Sequence, residues 1–241
     1  MKGIILAGGM GTRLLPLTKV TNKHLLPIGK LPMIVHLVEK LKQADIDDIM
    51  IITGTDHMGD MINLLGSGKD YGCKFTYRVQ DEANGIAGAL LLCEDFAGGT
   101  PIVVILGDNI FKEGLRGHIE KYEKSDKSCF LLLKKVPDPE RYGVAILEGT
   151  KLVSAIEKPK KFVSDLCITG VYMYDSSVFD EIRNLSPSKR GEYEITEVNH
   201  AYIASNNADY AILNGWWTDA GTHESYAKAN ELVNHNEPWS Y

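Results

Sequence analysis

The sequence lacks an excess of positive charge. Its 26 Lys and Arg residues are outnumbered by 32 Asp and Glu residues, which gives a formal net charge of −6 over 241 residues. Proteins that bind nucleic acid nonspecifically carry a basic surface, so we expect no nucleic-acid partner. Any anionic ligand must be held by a few local cations.

Cysteine is scarce, and the spacings that bind metals are missing. The four cysteines, Cys73, Cys93, Cys129 and Cys167, form no CxxC pair. Neither a disulfide framework nor a zinc site is expected, and buried reduced thiols are the simpler interpretation. No two histidines have metal-ligand spacing on a helix, and His24 is interpreted as a loop or groove residue rather than a catalytic base.

Long apolar runs are missing as well. No stretch reaches the roughly 18 residues that a membrane span needs. The first apolar run, Ile4 to Ala7, is interrupted by Gly8 and Gly9, which argues against a secretory signal peptide. We therefore expect a cytoplasmic protein with no membrane partner.

The sequence does contain short apolar runs that alternate with amphipathic stretches, and hydrophobic residues make up 44% of it. In the first half this pattern predicts buried strands at residues 2–7, 48–53, 75–79 and 102–106, with helices at 32–44 and 85–93. Continuous apolar strands separated by helices favour a mostly parallel sheet covered on both faces. After about residue 125 the pattern predicts strands at 130–135, 143–147, 152–156 and 171–174, then helices at 194–204 and 223–234.

The segment GGMGTRL, residues 8–14, directly follows the first predicted strand. In an open parallel sheet, ligands bind at the carboxyl ends of the strands. Glycines let the backbone approach a phosphate closely, and the planar guanidinium of Arg13 suits phosphate oxygens. The loop therefore predicts a phosphate cradle, although from the loop alone a glycine turn with a surface arginine remains open.

Two common phosphate-binding motifs do not fit this loop. A dinucleotide fingerprint, GxGxxG, requires a third glycine where Leu14 stands. A P-loop requires a lysine that is missing at the corresponding spacing. The loop is neither motif.

The motifs LAGGMGTRLLPLT and NKHLLP resemble the signature of the sugar-1-phosphate nucleotidyltransferases, roughly GGxGTRLxPxTxxxxKxLxP, with Lys23 at the signature lysine. The likeness continues in order through LGDNIF, ERYGVA, EKP, TGVYMYD, GEYEIT and WWTDAGTHES. It departs at Met10, where a small residue is usual, and at Leu15, where an aromatic is frequent.

The resemblance implies an α/β fold: a Rossmann-like mixed, mostly parallel central sheet with helices on both faces, as in the nucleotide-diphospho-sugar transferases. We expect a single domain, 1–241. Its half 1–125 would bind the nucleotide and its half 126–241 the sugar phosphate.

Within the family, the resemblance is greatest to short bacterial members that lack a C-terminal helical extension. These transfer a thymidylyl group from dTTP to glucose 1-phosphate, giving dTDP-glucose and pyrophosphate for deoxysugar (rhamnose-type) and cell-surface polysaccharide synthesis. A homo-oligomer is also implied. Uridylyl transfer from UTP stays open, because one methyl group discriminates by only about 1–3 kcal/mol. A non-catalytic nucleotide-sugar-binding regulator on the same scaffold is a further alternative.

The resemblance also assigns roles to residues. Asp108 and Asp219 would hold Mg²⁺, Arg13 would neutralise the leaving phosphates, Lys23 would contact the triphosphate, and Lys158 would bind the sugar phosphate. On the residues alone, Asp108 can equally be a turn aspartate and Asp219 a helix cap.

Two binding sets complete the expected site. The Gln80 amide and the Gly85 N–H would pair with thymine or uracil, and Glu157 would accept hydrogen bonds from sugar hydroxyls. The implied nucleotide-binding set is Leu6, Ala7, Gly8, Gly9, Gly11, Thr12, Arg13, Lys23, Gln80, Gly85 and Asp108. The implied sugar-phosphate set is Asn109, Tyr142, Gly143, Glu157, Lys158, Thr169, Val171, Glu192 and Trp217, although Trp217 can equally be a core residue.

Overall fold

A computed structural model describes residues 1–236 of the chain, so the last five residues of the predicted domain lie outside the described residues. Its strands are β1 (Lys2–Ala7), β2 (Pro27–Ile28), β3 (Leu31–Pro32), β4 (Asp48–Gly54), β5 (Lys74–Gln80), β6 (Ile102–Leu106), β7 (Asn109–Phe111), β8 (Cys129–Lys135), β9 (Gly143–Glu148), β10 (Lys151–Glu157), β11 (Leu166–Tyr174), β12 (Ala208–Ile212) and β13 (Trp217–Asp219). The α-helices are α1 (Met33–Lys42), α2 (Met58–Leu65), α3 (Ile86–Leu91), α4 (Glu94–Ala97), α5 (Arg116–Lys124), α6 (Val178–Arg183), α7 (Ile195–Ala204) and α8 (His223–Asn236). Short 3₁₀ turns connect several of them.

Nine of these strands form one central sheet. Strands β5, β4, β1 and β6 lie side by side and are all parallel. Strand β11 follows antiparallel to β6, with β8 and then β12 on its other edge and the β9–β10 hairpin at its start. Among the described residues, seven of the nine strands run in one direction and only β10 and β11 are reversed. The mixed, mostly parallel α/β sheet is confirmed.

Helices cover both faces of this sheet. Side chains alternate along β1, so Ile5 and Ala7 face a core formed with α1, α2, α5 and α8, whereas Ile4 and Leu6 face a second core formed with α3, α4, α6 and α7. The four side chains are at most 8% exposed. Because both faces of these strands are buried, their sequences are continuous apolar runs.

All of the strands and helices predicted from the sequence are present, with ends shifted by a few residues. The sequence analysis did not predict the helices α2, α4, α5 and α6, the five-residue strand β12, or the two- and three-residue strands β2, β3, β7 and β13. Two- and three-residue strands are too short to show a period of two, so pattern analysis does not find them. Within residues 1–236, no helix combines the length and the apolar character that crossing a bilayer requires.

Candidate active site

A cavity of about 580 Å³ opens at the carboxyl ends of β1, β5 and β6 and extends over the β9–β10 hairpin. This is the edge of the sheet at which α/β folds bind ligands. Sixteen of the expected residues line it: Leu6, Gly8, Gly9, Arg13, Lys23, Gln80, Gly85, Asp108, Asn109, Tyr142, Gly143, Glu157, Lys158, Glu192, Trp217 and Asp219. Residues from the two halves of the chain therefore share one cleft.

The glycine loop leaves β1 and crosses the ends of its neighbours. A Cβ on Gly8 would lie 3.0 Å from Gln80 Oε1, and a Cβ on Gly9 would lie 3.5 Å from Lys23 Nζ. Gly11 has a φ of 65°, and its carbonyl accepts a 2.8 Å hydrogen bond from the Thr18 hydroxyl. The loop thus brings exposed backbone close to a lysine, as a phosphate cradle requires.

A two-stranded ribbon brings the two expected metal carboxylates together. Strands β7 and β13 pair antiparallel with Asp219 opposite Asn109, and the Ala220 N–H donates to the Asp108 carbonyl at 2.7 Å. A Cβ on Gly221 would lie 3.4 Å from one oxygen of each carboxylate and 3.1 Å from an Arg13 nitrogen. The side chains of Arg13, Asp108 and Asp219 therefore converge beside Gly221, which has no side chain to fill the space between them.

Lys23 and Asp108 form the tightest ion pair in the cavity. Lys23 Nζ lies 2.6 Å from Asp108 Oδ2, and the two side chains are 12% and 15% exposed. Burial by itself would raise the pKa of Asp108, but the charge and hydrogen bond of Lys23 hold it well below its ordinary value. Asp108 is therefore ionised at neutral pH, and Lys23 is fixed beside it.

Asp219 lies in a different electrostatic environment. Burial and then the charge of Asp108 raise its pKa, and this is only partly offset by Arg141 and by a hydrogen bond from Tyr142. The Tyr142 hydroxyl donates to Asp219 Oδ1 at 3.1 Å, and Arg141 lies 3.7 Å from the same oxygen. The carboxylates of Asp108 and Asp219 thus create a negative potential that would attract a cation.

Asn109 and Trp217 hold Asp108 in place. The Asn109 amide donates to Asp108 Oδ1 at 3.1 Å, while its own oxygen accepts from the Trp217 indole and the Gly170 N–H, each at 2.8 Å. Both side chains are buried. Because the Asn109 oxygen already accepts two hydrogen bonds, the structure favours a positioning role for it over direct contact with a sugar.

The hairpin end of the cavity carries Glu157 and Lys158. Glu157 Oε2 accepts a 2.6 Å hydrogen bond from Thr196, and Glu157 Oε1 lies 3.5 Å from Lys158 Nζ. Gly143 pairs with Glu157 across the hairpin, and a Cβ there would lie 2.8 Å from Thr196 Oγ1. Lys158 has a φ of 42°, unusual for a residue other than glycine, and its N–H donates to the Tyr142 carbonyl.

The sequence analysis missed several residues of the cavity wall, among them three polar side chains that contact expected site residues. Arg141 approaches Asp219, Thr196 orients Glu157, and Arg190 lies 2.8 Å from Glu194 and 3.8 Å from Glu157. All three lie inside or next to the motifs ERYGVA and GEYEIT. That proximity was the available signal, but the motifs alone do not show which side chains face the cavity.

Five of the expected residues do not line the cavity: Ala7, Gly11, Thr12, Thr169 and Val171. Strand alternation in β11 turns Ile168, Gly170 and Tyr172 to the cavity, so Thr169 and Val171 face the opposite side. The Thr169 hydroxyl donates to the Leu132 carbonyl, and Ala7 is buried in the core. A direct role for Ala7, Thr169 or Val171 would have to use the main chain.

The base end of the cavity is formed by Gln80 and Gly85. Gly85 has a φ of 100°, and a Cβ there would lie 2.6 Å from the Tyr193 carbonyl, so a side chain is excluded. Gln80 Nε2 donates to Asn84 Oδ1 at 3.0 Å and faces the Gly85 carbonyl at 3.4 Å. The Gln80 oxygen therefore points toward Gly8 and the cavity, while the Gln80 NH₂ group points toward Asn84 and Gly85.

His24 is a buried residue in the cavity wall beside Lys23 and Asp108. It is 1% exposed, its Nδ1 contacts Asn22 Oδ1 at 2.7 Å, and its ring packs where a Cβ on Gly107 would lie. Burial and the Lys23 charge lower the pKa of His24 to about 3. The structure therefore agrees with the interpretation that His24 is no catalytic base.

We expect the His24 ring to stay neutral throughout the physiological range. In the folded state the pKa of His24 is lowered to about 3, whereas an unfolded histidine has a pKa of about 6.5. Between these values only the unfolded state gains the proton, so this residue lowers the free energy of unfolding as pH falls below 6.5. NMR titration from pH 8 to 5 should show constant His24 ring shifts, with His24→Gln identifying the resonance; a midpoint near 6.5 would contradict this.

The donor set fits Mg²⁺ when substrate is included. Among residues 1–236, no group of three or more His, Cys, Asp or Glu side chains could hold a metal. Mg²⁺ commonly takes one or two carboxylates and completes its shell with water and substrate phosphates. The pair Asp108 and Asp219 meets that requirement. Burial and then the neighbouring charge of Asp108 raise the pKa of Asp219, and a dication between the two carboxylates would offset both effects.

The sequence of this chain is similar to that of known proteins. The sequence profile of the nucleotidyl transferase family matches residues 2–236. A curated glucose-1-phosphate thymidylyltransferase from Xanthomonas campestris is 40% identical over 96% of this chain and 80% of its own length. A low-salt glycan biosynthesis nucleotidyltransferase from Haloferax volcanii is 39% identical over 97% of this chain, which spans 66% of that relative.

Two solved structures are similar to the whole chain. One, from Bacillus anthracis and assigned as a glucose-1-phosphate thymidylyltransferase in complex with a sucrose, has a TM-score of 0.95 and 54% identity, covering 100% of this chain and 98% of that one. A UDP-glucose pyrophosphorylase complexed with UDP-glucose has a TM-score of 0.84 and 26% identity, covering 98% and 99%.

Proposed function

Because the chain belongs to the nucleotidyl transferase family, as a sugar-1-phosphate nucleotidyltransferase, we propose that it transfers thymidylyl from dTTP to glucose 1-phosphate. The products are dTDP-glucose and pyrophosphate. The observation that carries the proposal is the convergence of Arg13, Lys23, Asp108 and Asp219 at one end of a cleft whose other wall holds Lys158.

The reaction is a single displacement at phosphorus. A phosphate oxygen of glucose 1-phosphate attacks the α-phosphorus of dTTP, the new P–O bond forms, and the bond to the β-phosphate oxygen breaks. The nucleophile is already ionised, so no general base is needed. Catalysis then consists of aligning two anions and stabilising the negative charge of the transition state.

The residues of the cavity are suited to divide this task. The glycine loop and Arg13 would hold the β- and γ-phosphates that leave, and Lys23 would contact the α-phosphate region. Lys158 would bind the sugar phosphate, and Glu157, held by Thr196 at 2.6 Å, would accept hydrogen bonds from the sugar. Asn109 and Tyr142 would keep Asp108 and Asp219 in position.

Asp108 and Asp219 would hold Mg²⁺ together with the phosphates. When bound, the ion supplies Lewis-acid stabilisation of phosphoryl charge and reduces repulsion between the two anionic substrates. Lys23 would keep Asp108 ionised and therefore able to bind a cation.

Uridylyl transfer from UTP is the second candidate, favoured by the likeness to a UDP-glucose pyrophosphorylase solved with UDP-glucose. Thymine and uracil present the same hydrogen-bonding edge to Gln80. The methyl group that separates them is worth about 1–3 kcal/mol in a hydrophobic contact.

Pyrophosphate release measured with Mg²⁺ and glucose 1-phosphate tests the proposal. dTTP, UTP, dCTP, ATP and GTP are compared side by side, with EDTA as the metal control. We expect dTTP to give the largest kcat/KM and EDTA to abolish release. A preference for UTP would support the second candidate, and a folded protein that is inactive with every triphosphate and several sugar phosphates would favour a binding protein.

A further inference from the structure

Gln80 is held in one orientation by two acceptors. Its Nε2 lies 3.0 Å from Asn84 Oδ1 and 3.4 Å from the Gly85 carbonyl oxygen. A carbonyl oxygen can only accept a hydrogen bond, so the atom that faces it must be the NH₂ group. The Gln80 oxygen is then directed away from both acceptors and lies near Gly8, on the cavity wall.

Asn84 in turn occupies a space that Gly88 leaves free. A Cβ on Gly88 would overlap the Asn84 carboxamide, with Cγ only 2.6 Å away, and all three of its nearest atoms belong to Asn84. Gly88 is buried within α3 and has no positive φ. Glycine is unfavourable inside a helix. The Asn84 side chain, which fills the space of a Cβ, gives a physical reason for glycine at position 88.

We propose that Asn84, seated against Gly88, is a positioning residue that excludes cytosine nucleotides by fixing the Gln80 amide. This inference rests on the proposed function and adds a determinant of base selectivity to it. Thymine and uracil carry an N3–H that donates to the presented oxygen of Gln80. Cytosine carries an unprotonated N3 that only accepts, so two acceptors face each other.

Fixing the amide is what produces selectivity. A free glutamine side chain can turn its amide through 180° and offer NH₂ to cytosine N3. That turn would break the hydrogen bonds from Gln80 Nε2 to Asn84 Oδ1 and to the Gly85 carbonyl. A matching turn of the Asn84 amide would restore only the first, because the main-chain carbonyl of Gly85 can only accept. A site built to receive a specific donor discriminates strongly against an analogue that lacks it.

Two substitutions test this arrangement, one at Asn84 itself and one at the glycine against which Asn84 packs. Asn84→Ala removes the acceptor, and Gly88→Ala displaces the Asn84 side chain while adding a better helix former to α3. Asn84→Asp keeps an acceptor oxygen, and Glu82→Gln changes an exposed residue of the same loop. The measured quantity is the ratio of kcat/KM for dTTP to that for dCTP, with glucose 1-phosphate as the second substrate.

We expect Asn84→Ala and Gly88→Ala each to lower this ratio at least tenfold, chiefly through KM, with kcat for dTTP within threefold of the native value. Asn84→Asp and Glu82→Gln should keep the ratio within threefold. Circular dichroism checks folding; if Asn84→Ala unfolds, Gly88→Ala decides. Unchanged ratios in the folded variants would overturn the inference.

Binding measurements separate this result from the proposed function. Dissociation constants for dTTP and dCTP, obtained by calorimetry, give a base selectivity that does not depend on turnover. A native protein that binds dTTP selectively but makes no dTDP-glucose would refute the proposed function and leave the role of Asn84 testable. Equal affinity of the native protein for dTTP and dCTP would refute the role of Asn84.

Discussion

Asp108→Asn lowers kcat about 10³-fold or more in a protein that stays folded but is less stable, because the Lys23 charge loses its partner. The substitution removes one of two carboxylates that face the phosphate site and leaves a neutral amide of the same shape beside Lys23. Loss of metal-assisted charge stabilisation of several kcal/mol corresponds to roughly three powers of ten in rate. Steady-state pyrophosphate release measures the loss.

The matched control for this variant is Asp95→Asn, an exposed aspartate on α4. It removes the same charge from the chain and should keep kcat within twofold. Isothermal calorimetry adds a second readout, because Asp108→Asn should also weaken the dependence of dTTP binding on Mg²⁺. An Asp108→Asn enzyme with more than a tenth of native activity would contradict the assignment of Asp108.

Lys23→Met lowers kcat/KM about 10²- to 10³-fold, the typical cost of removing one preorganised charge-stabilising donor. It also destabilises the fold, by about 3 kcal/mol, since removing one partner of a largely buried ion pair leaves the other without compensation. The expected signature is loss of both activity and thermal stability, measured by steady-state kinetics and denaturant unfolding.

The double variant Lys23→Met/Asp108→Asn separates these two effects. With both charges removed, no uncompensated carboxylate remains, and we expect stability to recover by at least half of the Lys23→Met loss. Activity should stay as low as in Asp108→Asn alone. Additive losses of stability in the double variant would show that the Lys23–Asp108 pair is not coupled as the 2.6 Å distance indicates.

The nucleotide end of the cavity was largely predictable from the sequence. Strands β1 and β6 are continuous apolar runs, so the residues that follow them, the glycine loop and Asp108, were expected at one edge of the sheet. Local sequence suffices there because a buried parallel strand fixes where its carboxyl end lies. The structure places Gly8, Arg13 and Asp108 around the same cleft.

The metal pair was not predictable from local patterns. Asp219 reaches Asp108 because two three-residue strands, β7 and β13, pair across more than a hundred residues of chain. Strands this short carry no periodic signal, and their pairing depends on tertiary packing. Asp219 was predicted only from the family resemblance. The pairing of β7 with β13 explains why it lies close to Asp108.

The motifs also did not predict which side chains of a strand face the cavity. TGVYMYD indicated the correct strand, but Thr169 and Val171 face away from the cavity while Gly170 between them lines it. Choosing the face requires knowing which side of β11 the substrate approaches. Arg190 and Thr196 were missed for the same reason. They approach Glu157 only when α7 and the segment before it pack against the β9–β10 hairpin.

The most direct test of attack by the sugar phosphate on the α-phosphorus follows the oxygen atoms. Glucose 1-phosphate labelled with ¹⁸O in its phosphate is incubated with dTTP, Mg²⁺ and the enzyme, and the products are analysed by ³¹P NMR and mass spectrometry. Attack by the sugar phosphate on the α-phosphorus predicts dTDP-glucose that carries all of the label, including the oxygen between the two phosphorus atoms, and unlabelled pyrophosphate. Label in the pyrophosphate, or folded enzyme that forms no nucleotide sugar, would contradict the account.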